Sequence, residues 1–298
     1  MNRPAPARPT RRALLAGVGG TVVAGALAAC AEDSRGTASL RSASTPTPAG
    51  TGSATASPSG STTPSDAATQ LGSTPNGPAT ASAPATPVTL QRQPLPSGTV
   101  TGLPQGTPGI AWTVDDGASS DVVEAYARFA AETGTRLTFF VNGVRPSWTE
   151  HADLLRPLVA SGQVQLGNHT WDHPALTKLS DQGIVDELTR NHDFIRDTYG
   201  VDARPYFRPP FGYHDARVDA AAARVGYTTP LLWYGSLSDS GDITSDQIVG
   251  FGDQWFQPAH IVIGHANFAG TIGALPRLHD ILQQRGLATF TLDDVFRR

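Results

Sequence analysis

From Gly109 onward the chain alternates short apolar runs with longer stretches in which apolar residues recur every three or four positions. The first pattern marks buried strands and the second amphipathic helices. Gly109-Ile-Ala-Trp-Thr-Val114 reads as a strand, and Ser119–Ala131 as a helix with Ser119, Ser120 or Asp121 at its N-cap. Arg136–Val141 is a second strand, ending in Asn142-Gly143, and a helix near Asp153–Ser161 leads to a third strand at Gln163–Gly167. Helices are expected at Gln182–Tyr199, Ala216–Val225, Ser245–Gly250 and Leu275–Arg285, and strands near Tyr206–Arg208, Thr228–Trp233, His260–Gly264 and Ala288–Leu292. Strand–helix alternation implies a mostly parallel sheet covered on both faces, and this many units in one domain favours a barrel.

The first hundred residues read differently. No Phe, Trp or Tyr precedes Trp112, although the chain of 298 residues carries 11 Phe, 5 Trp and 6 Tyr. Such a segment buries too little apolar area to offset its ordering entropy. The start, Thr10-Arg-Arg-Ala-Leu-Leu15, followed by an Ala/Gly/Val-rich run to Ala29, has the charged and apolar regions of an export signal. Its Arg11-Arg12 pair resembles a twin-arginine signal. Leu27-Ala-Ala-Cys30 resembles a bacterial lipobox, so Cys30 is expected to carry a diacylglyceryl anchor. Cys30 is the only cysteine, which excludes an intramolecular disulfide and a thiolate cluster. The expected organisation is a signal peptide over 1–29, a disordered Ser/Thr/Pro/Ala-rich linker over 30–105 and one packed domain over 106–298. A stalk of about 75 residues at ~3.1 Å each reaches at most ~230 Å.

Charge narrows the partners. Formal net charge is −4, and losing the four arginines of the first 29 residues would leave −8. Nucleic-acid binding needs a basic surface, so that class is excluded. Lys178 is the only lysine, a bias better ascribed to genome composition than to chemistry.

Reactive residues fall just after strands: Asp115-Asp116, His169, Arg208 and His265. In a β/α barrel that end of the strands forms the active-site face. Asp115-Asp116-Gly117 alone is an ordinary strand-ending turn. His169-Thr-Trp-Asp-His173 sets two imidazoles four apart, on one face if the stretch is a helical turn. Two histidines and a carboxylate from elsewhere suit zinc or a similar divalent ion, with positions open for water and substrate. A zinc metalloprotease would carry Glu after the first His, where this chain has Thr170. His151, His192, His214, His260 and His279 stand outside these clusters and read as surface or packing residues.

Thr113-Val-Asp-Asp-Gly117, Thr138-Phe-Phe-Val141, His169-Thr-Trp-Asp-His173, Arg208-Pro-Pro-Phe-Gly212 and Ile261-Val-Ile-Gly-His265 occur in that order. Together they resemble the NodB-homology polysaccharide deacetylases, carbohydrate esterase family 4, over Gly109–Phe296. The resemblance implies an α/β fold, a distorted (β/α) barrel with fewer than eight repeats, and hydrolysis of N-acetyl groups on a sugar polymer. It implies Asp116, His169 and His173 as ligands of a divalent metal: zinc, or in its place cobalt, manganese or nickel. It further implies Asp115 as the base for a metal-bound water, Arg208 as the residue orienting that base, and His265 as the acid. Ile263 would pack near the acetyl methyl and the Phe211 N–H would face the oxyanion. The fourth motif departs from the family's usual Asp-Trp: Trp233-Tyr-Gly-Ser-Leu-Ser-Asp239-Ser240 keeps an aspartate but has Ser240 where Trp is expected. Asp239 is expected to hold His265 in its tautomer, and Val114 stands where the family usually has Phe.

The expected protein is therefore a monomer, exported to the outer face of the membrane as a lipoprotein or secreted. It touches the membrane through its lipid alone and deacetylates a GlcNAc-containing polymer, peptidoglycan being favoured by the tether. An O-deacetylase of a wall or capsular glycan and a non-catalytic glycan-binding lipoprotein are the alternatives. Binding alone needs no paired acid and base, which weighs against the last.

Overall fold

The structure, a computed structural model, describes residues 90–298. The expected signal peptide, Cys30 and the linker up to residue 89 lie outside the described residues.

A short strand β1 (Gln93–Pro94) precedes β2 (Gly109–Asp116), α1 (Ser120–Thr133), β3 (Leu137–Val141), α2 (Ser147–Glu150), α3 (Ala152–Ala160) and β4 (Val164–Asn168). Then come α4 (Asp181–Tyr199), β5 (Tyr206–Phe207), α5 (Ala216–Ala223), β6 (Thr229–Pro230), β7 (Gly235–Ser236) and α6 (Ser245–Trp255). The chain closes with β8 (Ile261–His265), α7 (Gly270–Arg285), β9 (Ala288–Thr289), α8 (Leu292–Val295) and β10 (Phe296–Arg297). Seven parallel strands run in the order β6-β5-β4-β3-β2-β8-β7, with β9 beside the start of β2 and β1 paired to β10. This is a curled half-barrel, an α/β barrel with fewer than eight repeats, as the sequence suggests.

Every residue of β2 is buried, as expected of a central strand with both faces covered. Ile110, Trp112 and Val114 point out to the helices, where Trp112 meets Tyr126, Phe129 and Phe256 at ring-centroid distances of 5.9, 5.8 and 5.1 Å. Ala111 points inward with Phe140, Tyr206, Leu231 and Ile261. Period-two alternation then carries Thr113 and Asp115 to the inner face too. On β8 the same rule takes Ile261, Ile263 and His265 inward, in register with Ala111, Thr113 and Asp115. Gly252 lets α6 approach α7: a Cβ there would stand 2.1 Å from Leu278 Cδ2.

Several expectations need correction. The Thr228–Trp233 strand is only Thr229–Pro230, because the carbonyls of Leu231 and Leu232 turn to the Arg208 guanidinium at 3.0 and 3.2 Å. The helix expected at Leu275 begins at Gly270 and contains Pro276, and the one expected to stop at Gly250 runs to Trp255. Ala288–Leu292 is a two-residue strand followed by α8, which starts from a Thr291/Asp294 capping box. The linker expected to reach residue 105 is packed onto the domain over its last residues. Val100 and Leu103 are 3% and 5% exposed within the inner core. The peptide between them forms a strap: Val100 N–H donates to Pro230 O, Leu232 N–H to Val100 O, and Leu103 N–H to Ala259 O. No helix among the described residues is long and apolar enough to cross a membrane.

Candidate active site

β2 ends by bringing two adjacent carboxylates into one mouth. Asp115 faces inward by alternation, and Asp116 follows because its backbone leaves the strand at φ 73°. The turn continues through Gly117 at φ 93°, where a Cβ would lie 2.4 Å from Trp148 Nε1. That indole N–H donates to the Asp116 carbonyl at 2.9 Å. His169 and His173 do not converge by helical spacing. They sit in a loop beyond β4 in which Thr170 and His173 take φ values of 68° and 67°. With Asp116, Phe211 (61°) and Ser238 (56°), these make five of the six non-glycine positive-φ residues among the described residues; Ala259 is the sixth. Each costs of order 1–3 kcal/mol, so strain is concentrated here.

Buried side-chain amides hold the loop. Asn142 Nδ2 donates to the carbonyls of His169 and Thr170, and Thr170 N–H donates to Asn168 Oδ1. Asn191, on the buried face of α4, donates to Val141 O and to Asn168 Oδ1. Glu187 accepts the Trp171 and Asp172 N–H groups at 2.9 and 3.2 Å. Of these four, Asn142 has a cue in the sequence, as the end of a strand. Amides inside a helix or turn carry no periodic signal, and only a polar residue on the apolar face of α4 hints at Asn191.

Asp116 Oδ1 stands 3.4 Å from His169 Nε2 and 3.5 Å from His173 Nε2, and one donor atom from each residue lies within 4.8 Å of the others. Donors about 2.1 Å from one ion in a tetrahedral arrangement stand roughly 3.4 Å apart. His169 Nδ1 donates to the Arg208 carbonyl at 2.7 Å, which turns the Nε2 lone pair to the centre. This donor set fits a divalent ion of the zinc type, with positions left for other ligands.

Asp115 and His265 flank the triangle, paired across β2 and β8. The fully buried Arg208 donates from Nη1 to Asp115 Oδ1 at 2.6 Å, and Asp115 Oδ2 lies 3.5 Å from His169 Nε2. Arg208 also stacks on Phe140 at 4.2 Å. Asp239 is fully buried; its Oδ1 accepts from His265 Nδ1 at 3.0 Å, and its Oδ2 from His265 N–H and Thr271 Oγ1 at 3.1 and 3.3 Å. Burial pulls the imidazole of His265 down, but the Asp239 hydrogen bond and the charges of Asp239, Asp115 and Asp116 outweigh it and push the pKa up to about 9. Burial opposes the charge of Asp116, yet the hydrogen bond and charge of His169 hold its carboxyl below the ordinary range. His169 is raised, the charge of Asp115 and contact with Asp116 overcoming burial, while burial and the neighbouring His169 lower His173 to about 4.

The remaining candidates lie around this centre. Ile263 is 2% exposed, one inward position below His265. The Phe211 ring packs edge-on against His173 at 4.7 Å and is 55% exposed beside Tyr213. Ser240 is exposed where the usual motif has Trp, and Val114 is buried among the helices. Cys30 lies outside the described residues. A hollow of about 550 Å³ lined by Arg136, Gln165 and Asp294, among others, contains none of these groups.

A family model described as polysaccharide deacetylase matches residues 103–230, a span that carries Asp115, Asp116, His169, His173 and Arg208. The chain belongs to the polysaccharide deacetylase family, carbohydrate esterase family 4. Chitin deacetylase 1 of Cryptococcus neoformans is 39% identical over 118 residues, 40% of this chain and 24% of that protein. The peptidoglycan-N-acetylglucosamine deacetylase of Listeria monocytogenes is 28% identical over 197 residues, 63% of this chain and 38% of that protein. The chain thus spans well under half the length of either relative. Among solved structures, a family 4 carbohydrate esterase from Streptomyces lividans in complex with acetate matches with a TM-score of 0.54 and 26% identity, covering 62% of this chain and 93% of that one.

Proposed function

We propose that this protein hydrolyses N-acetyl groups on a GlcNAc-containing polysaccharide of the cell surface, with peptidoglycan as the substrate. The observation that carries the reading is that Asp115 and His265 lie side by side on β2 and β8 next to the Asp116–His169–His173 triangle, each locked by its own buried partner. A divalent ion held by that triangle would polarise the acetyl carbonyl and lower the pKa of a water. Asp115 Oδ2, left open because Arg208 occupies Oδ1, takes a proton from the attacking water. As the C–N bond breaks, protonated His265 gives the proton on Nε2 to the leaving amine, while Asp239 keeps Nδ1 engaged. The products are acetate and a free amino sugar. The Phe211 N–H faces the developing oxyanion, where one such donor is worth about 10²–10³ in rate. Ile263 backs the acetyl methyl, and the exposed rings of Phe211 and Tyr213 offer apolar faces to the sugar.

The named activities of the Listeria and Cryptococcus relatives support an N-acetylated glycan. The signal features before Ala29 and the lipobox at Cys30 support export and anchoring, with residues between them and the domain as a tether. Full-length protein should release acetate from GlcNAc oligomers or peptidoglycan only with a divalent metal present, and chelation should abolish it. Asp115→Asn should keep zinc and lose turnover; an unimpaired rate in that variant would remove the base assignment. Acetate from acetyl-xylan alone would make it an O-deacetylase, and tight glycan binding without any release would make it a binding protein. Labelled palmitate should enter the wild type and not Cys30→Ser, and an unlabelled wild type refutes the anchor.

A further inference from the structure

Asn267, two residues beyond His265, makes two hydrogen bonds that tie the loop after β8 to the end of β2. Its Nδ2 donates to Asp116 Oδ2 at 2.6 Å, and its Oδ1 accepts the Ala118 N–H at 3.2 Å. The orientation of this amide follows from chemistry: a backbone N–H can meet only the amide oxygen, so the NH2 must face the carboxylate. The same loop is stitched to β2 by its backbone, with Ala266 N–H donating to Asp115 O and Ser119 N–H to Ala266 O, both at 3.0 Å. Asp116 needs such support. It has a positive φ, its neighbour Asp115 carries a like charge, and one of its oxygens must point between two imidazoles.

We propose that Asn267 is a positioning residue for the metal site: by occupying Asp116 Oδ2 it presents Oδ1 alone to the ion and fixes the carboxylate plane before the ion arrives. The inference rests on the reading of Asp116, His169 and His173 as metal ligands. Partners of this outer kind typically contribute about 10- to 100-fold in metal affinity. Asn267 also ties this ligand to the loop that carries His265, so one side chain sets the spacing between metal ligand and acid. Sequence offers no cue for it beyond its place two residues after the fifth motif.

The test compares full-length wild type, Asn267→Ala, Asn267→Leu and Asp116→Ala after removal of metal by chelation. Zinc affinity is read by competition with a chromophoric chelator, and the thermal midpoint of each metal-free protein is read alongside. The expected result is zinc affinity lowered about 10- to 100-fold in both Asn267 variants, with metal-free midpoints close to wild type. Leu keeps the branched shape of Asn without its hydrogen bonds, so it remains a valid probe if Ala unsettles the loop. Zinc affinity within twofold of wild type in the folded variants overturns the proposal, whether or not the midpoint falls, because a purely structural residue would shift the midpoint alone. If wild type and Asp116→Ala bind zinc equally poorly, the metal-site reading itself fails and takes the proposal with it.

Discussion

Replacing Asp239 with Asn removes the strongest of the contacts that hold His265 charged against its burial. In the metal-free protein this histidine is raised from 6.5 to about 9, and Asp239 is the first of the groups that oppose burial. That difference of roughly 2.5 units corresponds to about 3 kcal/mol favouring the imidazolium, at 1.36 kcal/mol per unit. Asn removes the charge and offers only one acceptor oxygen to the donors from His265 Nδ1, His265 N and Thr271 Oγ1. Burial then dominates and the histidine titrates lower. Because the wild-type folded pKa lies above the unfolded one, the associated stability is complete below about pH 6.5 and is lost as pH rises through about 9. NMR titration of His265 in metal-free protein should therefore show a pKa well below that of wild type. Metal-free unfolding free energy should lose the part of its pH dependence between 6.5 and 9 that His265 contributes, leaving that of His169, which is also raised. In the loaded enzyme the alkaline limb of the rate profile, the loss of the protonated acid, should move to lower pH. An unchanged His265 titration in Asp239→Asn refutes the electrostatic argument, whatever happens to the rate.

Two further outcomes follow from the same geometry. Arg208→Lys should lower kcat about a hundredfold with KM little changed, since one ammonium cannot serve Asp115, Leu231 O and Leu232 O together; steady-state acetate release measures it, and a wild-type kcat argues that Asp115 needs no such clamp. Gly117→Ala should destabilise the metal-free protein by about 1–3 kcal/mol, because φ is positive and the new Cβ meets the Trp148 ring. Thermal melts would show it as a midpoint several degrees lower.

The motif residues were legible because each follows an apolar strand, but the register that sets Asp115 beside His265 on one inner face was not. The resemblance to the deacetylases then assigned them roles that no periodicity carries. Asp239 was legible only through that resemblance, since Ser-Leu-Ser-Asp-Ser has the composition of any loop. The convergence of His169 and His173 was legible, but its cause was not: two left-handed residues, held by Asn142, Asn168 and Glu187, do what a helical turn was expected to do. Long-range amide contacts such as Asn267 to Asp116 span 151 positions and leave no local trace. Strands of two residues, such as β6 and β7, fall below the length at which alternation can be read.

Val100 and Leu103 carry no periodic signal for a related reason, as lone aliphatic residues among Pro, Gly and Thr. Their strap bears on where the chain can be cut. A fragment starting at residue 106 would keep Asp115, Asp116, His169, His173 and His265. It would nonetheless lose the peptide whose hydrogen bonds brace residues 230–232, a stretch in which the carbonyls of Leu231 and Leu232 hold the guanidinium behind Asp115. The boundary that matters for a working enzyme is thus set by the reach of a backbone hydrogen bond, some way upstream of the first aromatic residue. A domain trimmed to its motifs would be an active site with its scaffolding pole removed.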